Sequence, residues 1–410
     1  MAQASHSKGK IAWCISPILS GVNTVYKVVG GGLRNAGWEV LGVTAGAEAA
    51  RQADSRFADE FFEVLLPGSS DVARNAAEFI RWVEERKIDV VFCTGQAFTL
   101  AAAPALPPRV RLLNRCASMT RYTYGLAAAN LDRVDKVVAE TPRQHQDLIR
   151  DFRVPPEKCV IIPGGVEMAT FTPGTVRDFH GLLRLIYLGR LDDVSKSVMM
   201  FPQIARHLAA AGVEFHFDIF GDGPDRERME DAFAQAHLHG QVTLHGTLRR
   251  EEFLPFLQRA HLVLLPSRYE GVPWALLETM ACGCVPIVSR IAGATDYVVD
   301  DGASGLLCTV GKASEIAGAI MGLAADRKRL EAFSAAAVRT IRDRFTLERV
   351  VRDHDYLLRA LLAQAPMAYT PIPVTAIRAP NLSGPTWRRW VPQGVKNFVR
   401  TWAERFHRSI

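Results

Sequence analysis

The sequence predicts an α/β protein made of two Rossmann-like domains, each with a parallel sheet. Short apolar runs alternate with helical patterns from Lys10 onward, and this alternation favours parallel strands joined by helices. The chain has 410 residues, 48% of them hydrophobic, which is enough for two full cores. A stretch rich in glycine, proline and threonine at 172–182 divides the pattern into two halves and predicts the connection between the domains.

The first half contains seven runs that predict strands, at 10–16, 39–44, 60–65, 88–93, 109–113, 135–139 and 159–162. The clearest helix is predicted at 71–86, where apolar residues such as Phe79 and Val83 recur at helical spacing. Another helix is predicted from about Thr24 to Asn35. It contains three consecutive glycines at 30–32, which indicate close packing or a kink because glycine weakens a helix interior.

The second half begins with strands predicted at Leu183–Leu188, Phe215–Phe220, 242–247 and Leu262–Leu265. Later apolar periodicity predicts helices at 312–324, 327–343 and 346–363, the last crossing back to the first domain. The predicted organisation is an N-terminal domain at 1–171, a C-terminal domain at 183–345, the crossing helix at 346–364, a linker at 365–386 and a tail at 387–410.

The stretch 267–289 organises the second half. Pro273 suits the first position of a helix that stops at Gly283, and the free N–H groups of that first turn favour an anion such as a diphosphate. Glu270 precedes the helix and Glu278 lies inside it, so both carboxylates can accept hydrogen bonds from hydroxyls of one ligand. Gly271 lets that ligand approach the backbone. The alternative is a solvated loop glutamate and an ordinary helix glutamate.

This stretch resembles the E-x7-E segment of retaining glycosyltransferases of family 4. The likeness covers about residues 10–365 and is strongest at 184–308. It implies the GT-B fold, in which two Rossmann-like domains face each other across a cleft. The implied reaction moves a sugar from a nucleotide-diphosphate sugar to a glycan or lipid-linked acceptor, with retention, in cell-surface polysaccharide or glycolipid synthesis. The donor is then a co-substrate, and no cofactor is expected.

A basic pair follows the first strand of the second half. Arg190 and Lys196 are six residues apart across a loop, so a fork and a point charge can hold two phosphate oxygens from two sides. The resemblance implies that they bind the donor diphosphate and act in catalysis together with Glu270. The family often has glycine where Ser197 stands. The alternative is that both cations are solvated surface residues.

The resemblance also implies the remaining donor contacts. Glu270 would bind hydroxyls of the donor sugar and Glu278 the ribose, while the base would lie near backbone groups of 245–247. Glycine turns at strand ends suit ligand approach in open α/β sheets. The further donor-binding residues predicted in this way are Gly21, Gly221, His245, Gly246, Thr247, Gly271, Val272, Pro273 and Trp274.

One departure from the family pattern keeps alternatives open. Many relatives have a histidine after the fifth strand of the first domain, whereas 113–121 contain none; Arg115 or Ser118 are the candidates to contact the sugar or acceptor there. The alternatives are a GT-B subunit that binds a nucleotide sugar without transferring it, and a sugar-nucleotide epimerase. A nicotinamide dehydrogenase is disfavoured because neither first strand is followed by G-x-G-x-x-G.

The sequence predicts no metal site. Residues 353–355 spell D-x-D, but this motif falls in the middle of a predicted helix rather than at a strand end. No other cluster has the spacing of metal ligands. Transfer is therefore expected to be independent of metal, with two cations and a helix N-terminus neutralising the leaving diphosphate.

The basic charge is concentrated in the tail. Six basic residues and one acidic residue at 387–410 account for +5 of the net charge of +6, so charge gives no indication of nucleic-acid binding by the body. Apolar residues recur at helical spacing from Pro392, with tryptophans at 387, 390 and 402. Such a basic amphipathic helix suits an anionic membrane interface. The alternative is that its apolar face docks on the body or on another subunit.

Seven cysteines without a C-x2-C pair, mostly in apolar runs, predict reduced and packed thiols. No apolar run approaches the ~20 residues of a membrane span, and 11–15 are too short for a signal peptide. The expected location is the cytoplasm, with peripheral contact at the inner face of the cell membrane.

Overall fold

The computed structural model describes residues 7–15, 24–52, 61–174, 177–238 and 240–380, together with Val395. These residues form two compact units, one from 7–164 with 347–380 and the other from 165–346. Each unit is a Rossmann-like parallel sheet flanked by helices, which confirms the predicted fold class. The tail at 387–410 lies outside the described residues except for Val395.

The first unit contains a seven-stranded sheet of order β3-β2-β1-β4-β5-β6-β7, with every pair parallel. Its strands lie within two residues of the predicted starts and ends. They are β1 (Lys10–Cys14), β2 (Glu39–Ala45), β3 (Phe62–Leu65), β4 (Val90–Cys93), β5 (Arg111–Arg115), β6 (Lys136–Ala139) and β7 (Cys159–Ile161).

Its helices connect successive strands. They are α1 (Gly31–Asn35), preceded by a π-helix at Tyr26–Gly30, α2 (Ala47–Gln52), α3 (Val72–Glu85), α4 (Ala97–Ala102), α5 (Arg121–Ala127) and α6 (Pro142–Phe152), with 3-10 turns at Ala103–Ala105 and Pro156–Lys158.

The second unit contains a six-stranded parallel sheet of order β10-β9-β8-β11-β12-β13. Its strands are β8 (Leu183–Leu188), β9 (Phe215–Phe220), β10 (Val242–Gly246), β11 (Leu262–Leu265), β12 (Val285–Ser289) and β13 (Leu306–Cys308). Its helices are α7 (Asp193–Lys196), α8 (Phe201–Ala210), α9 (Arg226–Gln235), α10 (Arg250–Arg259), α11 (Trp274–Ala281), α12 (Thr295–Val298), α13 (Ala313–Ala325) and α14 (Arg327–Arg344), with a 3-10 turn at Val198–Met200. Fully buried parallel strands are continuous apolar runs, which is why they could be predicted closely.

The helix α15 (Leu347–Ala363) packs on the first unit. A Cβ on Gly32 would lie 2.4 Å from Val351 Cγ2, so α15 approaches the glycine run too closely for any side chain there. Asp355 accepts hydrogen bonds from Lys8 Nζ and Trp38 Nε1, each at 2.9 Å. The three glycines therefore combine a π-helical distortion with close packing of two helices.

Two segments predicted as connections are instead packed. Within 172–182, Arg177 Nη2 donates to the carbonyl of Cys282 at 2.5 Å, which ties this stretch to the second unit. Residues 365–380, the described part of the predicted 365–386 linker, form a strap on the first unit that includes a 3-10 turn at Val374–Ala376. The Ile372 N–H donates to the Pro104 carbonyl at 3.0 Å, and Ile377 is buried in the core. The linker prediction is therefore wrong for 365–380.

All seven cysteines are buried and unpaired with one another, as predicted. Burial raises the pKa of each thiol, for example to about 11 at Cys284, because the thiolate loses its hydration. These cysteines are therefore poor nucleophiles in the folded protein.

Candidate functional site

The second sheet reverses its strand order between β8 and β11. Strands β9 and β10 lie on one side of β8, whereas β11, β12 and β13 extend on the other. Ligands of open α/β sheets bind outside the carboxyl ends of the strands at such a switch point. The loop after β8 carries Arg190 and Lys196, and the loop after β11 carries Glu270. The topology thus brings the loops of the three predicted catalytic residues to neighbouring strand ends.

Lys196 and Glu270 form an ion pair between these two loops. Lys196 Nζ lies 2.5 Å from Glu270 Oε1, and the hydroxyl of Ser267 donates to the same oxygen at 2.6 Å. Glu270 is 6% exposed, whereas the Lys196 side chain is 23% exposed. The carboxylate is thus held in place while its cation remains accessible to a ligand.

Arg268 fixes the two loops to each other. Its backbone N–H donates to the Ser195 carbonyl at 2.8 Å, and its guanidinium donates to the backbone carbonyl of Asp193. Arg268 Nη2 also lies 3.7 Å from the Asp193 carboxylate. Local sequence spacing gives no signal for this role of Arg268, because its partners are about 75 residues away in the chain.

Arg190 lies in the loop after β8, ahead of the short helix α7 that ends at Lys196, and its side chain is exposed. The Tyr187 hydroxyl donates to the Arg190 carbonyl at 2.7 Å, which fixes the backbone from which this arginine projects.

The backbone at Ser197 has the conformation that glycine adopts most readily. Its backbone is left-handed, with φ 52° and ψ 40°, a conformation that costs residues with a side chain about 1–2 kcal/mol. Its hydroxyl is buried and makes no hydrogen bond within the described part of the chain. This chain therefore retains a strained, unsatisfied residue directly after Lys196.

Glu278 is paired with a cation that the sequence analysis missed. Arg250 Nη2 lies 3.1 Å from Glu278 Oε1, and the Arg250 guanidinium lies 5.0 Å from the centre of the Phe171 ring. Burial raises the pKa of Glu278 to about 7, although the positive charge of Arg250 opposes the shift. Arg250 begins α10 just after the predicted base loop, so this contact joins that loop to the predicted ribose carboxylate.

Helix α11 begins one residue later than predicted. Pro273 is its N-cap with an extended ψ of 105°, and Trp274 is its first residue. Gly283, with φ +85°, follows the C-cap Cys282 and ends the helix. Val272 and Pro273 are buried, whereas Gly271 and Trp274 are half-buried and Trp274 Nε1 has no acceptor among the described residues.

The glycine turn after β9 packs directly on the loop after β8. Gly221 has φ +126°, and a Cβ there would lie 1.9 Å from the Gly189 carbonyl oxygen. A Cβ on Gly223 would likewise lie 2.3 Å from the Leu191 carbonyl oxygen. Gly221 therefore shapes the loop that carries the basic pair, and any side chain would displace it.

The predicted base-binding residues follow β10. His245 Nε2 lies 2.7 Å from Asp218 Oδ1, and its ring stacks on Phe220 at 4.4 Å between centroids. The Gly246 carbonyl accepts from the Gly221 N–H at 2.7 Å, and Thr247 is exposed. The histidine side chain is thus engaged within the unit, consistent with a role for backbone groups here.

The first unit has a different arrangement at its sheet edge. Arg115, the last residue of β5, hydrogen-bonds through Nη2 to Glu140, the residue after β6, and both side chains are buried. The Ser118 hydroxyl lies 3.0 Å from Thr123 Oγ1 near the start of α5. Gly21 lies outside the described residues.

Two family models match the chain on either side of the unit boundary. The model "Glycosyltransferase Family 4" matches residues 19–170, and the model "Glycosyl transferases group 1" matches residues 178–340. Together they cover both units.

The chain belongs to the family 4 type of GT-B glycosyltransferases.

Individual relatives agree with this family. WcaL of Salmonella typhimurium, a glycosyltransferase named for colanic acid biosynthesis, is 29% identical over 220 residues, 52% of this chain and 54% of that protein. The amylovoran biosynthesis glycosyltransferase AmsK of Erwinia amylovora is 30% identical over 175 residues, 41% of this chain and 42% of that protein. The chain thus matches about half the length of these curated relatives.

A solved structure shows the same fold. Anabaena HepE in complex with UDP and glucose superposes with a TM-score of 0.72 and 15% identity, covering 86% of this chain and 100% of that chain.

The D-x-D motif at 353–355 is part of the core of the first unit. His354 is buried on α15 and hydrogen-bonds through Nδ1 to the Val350 carbonyl at 2.9 Å, while Asp355 is held by Lys8 and Trp38. Within the described ranges, no group of three His, Cys, Asp or Glu side chains could hold a metal ion. Metal independence stays a prediction.

No helix of the described residues is long and apolar enough to cross a membrane. Membrane contact through 387–410 remains a prediction as well.

Proposed function

We propose that this glycosyltransferase moves a sugar from a nucleotide-diphosphate donor to a glycan or lipid-linked acceptor, with retention at the transferred carbon and without a metal. The observation that supports it most is the accessible Lys196–Glu270 pair at the switch point of the second sheet. The partly exposed Lys196 can bind phosphates, and Glu270, which is held by the Ser267 hydroxyl, can accept hydrogen bonds from sugar hydroxyls. This pair therefore suits a ligand in which phosphates lie beside sugar hydroxyls.

The roles follow from the position of each group. Arg190 and Lys196 bind the diphosphate, and their charges stabilise the negative charge that develops on it as the glycosidic bond breaks. Glu270 accepts hydrogen bonds from the donor-sugar hydroxyls, and Glu278 accepts them from the ribose. The departing phosphate takes the acceptor proton, so catalysis depends on positioning and electrostatics.

Three of the known proteins inform the choice of substrates. HepE is solved with UDP and glucose, and WcaL and AmsK are named for colanic acid and amylovoran biosynthesis. We infer that UDP-sugars are the first donors to test and that the acceptor is an intermediate of cell-surface polysaccharide or glycolipid synthesis. We place this reaction at the inner face of the cell membrane.

Nucleotide release tests the proposal. The purified protein is incubated with UDP-, GDP- and ADP-sugars, with and without membrane extract and with EDTA. We expect release that requires one donor and the extract, that EDTA does not affect, and that falls about 100- to 1000-fold in Glu270→Ala. Glu331→Ala, an exposed glutamate on α14, is the matched control. Tight donor binding without release would favour a binding subunit, and loss of activity in EDTA would contradict metal independence.

The basic tail is proposed to bind anionic membrane surfaces. Co-sedimentation with vesicles containing phosphatidylglycerol, compared with phosphatidylcholine alone, measures this binding. The double variant Arg400→Glu/Arg405→Glu should lose binding, because each basic residue contributes about 1 kcal/mol near such a surface. Equal sedimentation of both proteins would indicate instead that the tail docks on protein.

A further inference from the structure

Ser267 lies three residues before Glu270, in the same turn after β11. It follows β11 by two residues, is fully buried, and donates its hydroxyl hydrogen to Glu270 Oε1 at 2.6 Å. The turn brings residues three apart into contact, so the hydroxyl and the carboxylate are neighbours in sequence as well as in space. A fully buried hydroxyl in such a turn has few other conformations available.

Two donors converge on one oxygen of Glu270. Lys196 Nζ reaches Oε1 at 2.5 Å, alongside the Ser267 hydroxyl. Within the described part of the chain, Oε2 accepts no hydrogen bond. The carboxylate is therefore turned so that one oxygen is engaged by the protein and the other is available to a ligand.

We propose that Ser267 is a positioning residue that orients Glu270 so that Oε2 receives a hydroxyl of the donor sugar. This role rests on the proposed function, which assigns sugar binding to Glu270.

The lysine cannot fill this role alone when donor is bound. In the proposed function Lys196 also binds the donor diphosphate, whose negative oxygens compete with Glu270 for the three protons on Nζ. Ser267 is buried, uncharged and out of reach of that competition. The Ser267 hydroxyl is therefore the contact that keeps Glu270 in place while the diphosphate accepts hydrogen bonds from Lys196.

This role predicts different effects on ligands that carry a donor sugar on the diphosphate and ligands that do not. A nucleoside diphosphate contacts Lys196 but has no donor sugar for Glu270 to bind. A nucleotide sugar is bound by both Lys196 and Glu270. Loss of the Ser267 hydroxyl should therefore weaken the second ligand and leave the first unchanged, whereas a general distortion of the loop would weaken both.

The chain offers a matched control in Ser289. It is also fully buried, it ends the adjacent strand β12, and its hydroxyl makes no hydrogen bond among the described residues. Ser289→Ala removes the same atom from the next strand end without removing a contact.

The experiment titrates UDP, GDP and ADP, and the glucose ester of each, into the wild type, Ser267→Ala, Ser267→Thr and Ser289→Ala. Calorimetry gives the affinity, steady-state kinetics gives kcat and KM, and thermal melts verify folding. We expect Ser267→Ala to lose about tenfold to a hundredfold in affinity for the sugar-bearing ligand and in kcat, since small misplacements of binding groups have effects of this size. Its affinity for the nucleoside diphosphate should be unchanged, Ser267→Thr should recover much of the loss, and Ser289→Ala should match the wild type.

Three results overturn the role of Ser267. If the wild type binds the sugar-bearing ligand and Ser267→Ala binds it equally well, Glu270 needs no positioning and the proposed function stands without this residue. If Ser267→Ala weakens both ligands equally, its effect is structural. If none of the ligands binds the wild type, the proposed function itself fails and the role of Ser267 fails with it.

Discussion

The two units each place a cation and a carboxylate at the carboxyl edge of a parallel sheet, but the two pairs differ in exposure. In the first unit, Arg115 and Glu140 have side chains 5% and 6% exposed. In the second unit, Glu270 is similarly buried at 7%, whereas Lys196 is 23% exposed. An ion pair in which both side chains are buried stabilises its own unit. An ion pair with one accessible side chain can also bind a ligand through that side chain. This difference supports the proposal that the donor binds to the second unit.

The largest effect on stability is expected at the buried pair. Arg115→Met removes the buried cation that faces the Glu140 carboxylate, and loss of one partner from a buried ion pair costs about 3–5 kcal/mol. Lys196→Met removes a cation whose side chain is 23% exposed, and the Ser267 hydroxyl still donates to Glu270, so the loss of stability should be smaller. Thermal melts of the two variants measure the difference. Equal melting temperatures would show that the two pairs are energetically alike and would remove the basis of the comparison.

The second carboxylate of the site should respond to pH. The pKa of Glu278 is raised to about 7 by burial, from an ordinary value of 4.5. Between these values the folded state holds a proton that the unfolded state has released, so Glu278 lowers stability as pH rises from about 4.5 to 7. Glu278→Gln should remove this dependence and leave the protein more stable at pH 8. Unfolding in urea at pH 5 and pH 8 provides the test.

Donor affinity should also depend on pH, because Glu278 accepts hydrogen bonds from the ribose best as a carboxylate and so binds better once it has ionised. Arg250 should set the pH at which this rise in donor affinity occurs. Among the described residues, the Arg250 guanidinium faces Glu278 at 3.1 Å, and the Cys282 thiol is a second titratable group close to it. Because the charge of Arg250 lowers the pKa of Glu278, Arg250→Gln should shift the rise in donor affinity to higher pH. Arg249→Gln, on the adjacent exposed residue, is the control. An unshifted pH profile in Arg250→Gln would show that the pair does not tune ribose binding.

The smallest effect is expected at Ser197. Glycine adopts its left-handed backbone without strain and removes a buried hydroxyl that has no partner within the described residues. Ser197→Gly should therefore stabilise the second unit by at most about 1 kcal/mol, since relief of strain is partly offset by the entropy of glycine. A higher melting temperature with unchanged donor affinity is the expected result. A lower melting temperature would indicate that the serine is not strained.

The fold could be predicted because buried parallel strands appear as continuous apolar runs, and β8, β9 and β11 match their predicted bounds. The contacts within the site could not. Lys196 and Glu270 are 74 residues apart and Arg250 and Glu278 are 28 apart, so their pairing depends on which strands become neighbours.

The strap at 365–380 shows a different limit of prediction. It lacks any period because it forms no regular element for most of its length, yet Ile377 enters the core and Arg111 donates to the Ala365 carbonyl at 3.0 Å. Isolated apolar residues in a proline-rich stretch were the available signal, and they do not separate a packed strap from a free linker.

The central claim is that the donor binds at the carboxyl edge of the second sheet. Nucleotide binding by one site variant and one control variant tests it. Calorimetry compares UDP, GDP and ADP binding to the wild type, to Lys196→Met and to Arg206→Met, an exposed arginine in the middle of α8. A hydrogen bond to a charged group contributes about 1.5–3 kcal/mol, so Lys196→Met should weaken the preferred nucleotide about tenfold or more while Arg206→Met binds as the wild type does. Equal affinity in Lys196→Met and the wild type would contradict the assignment of the donor site.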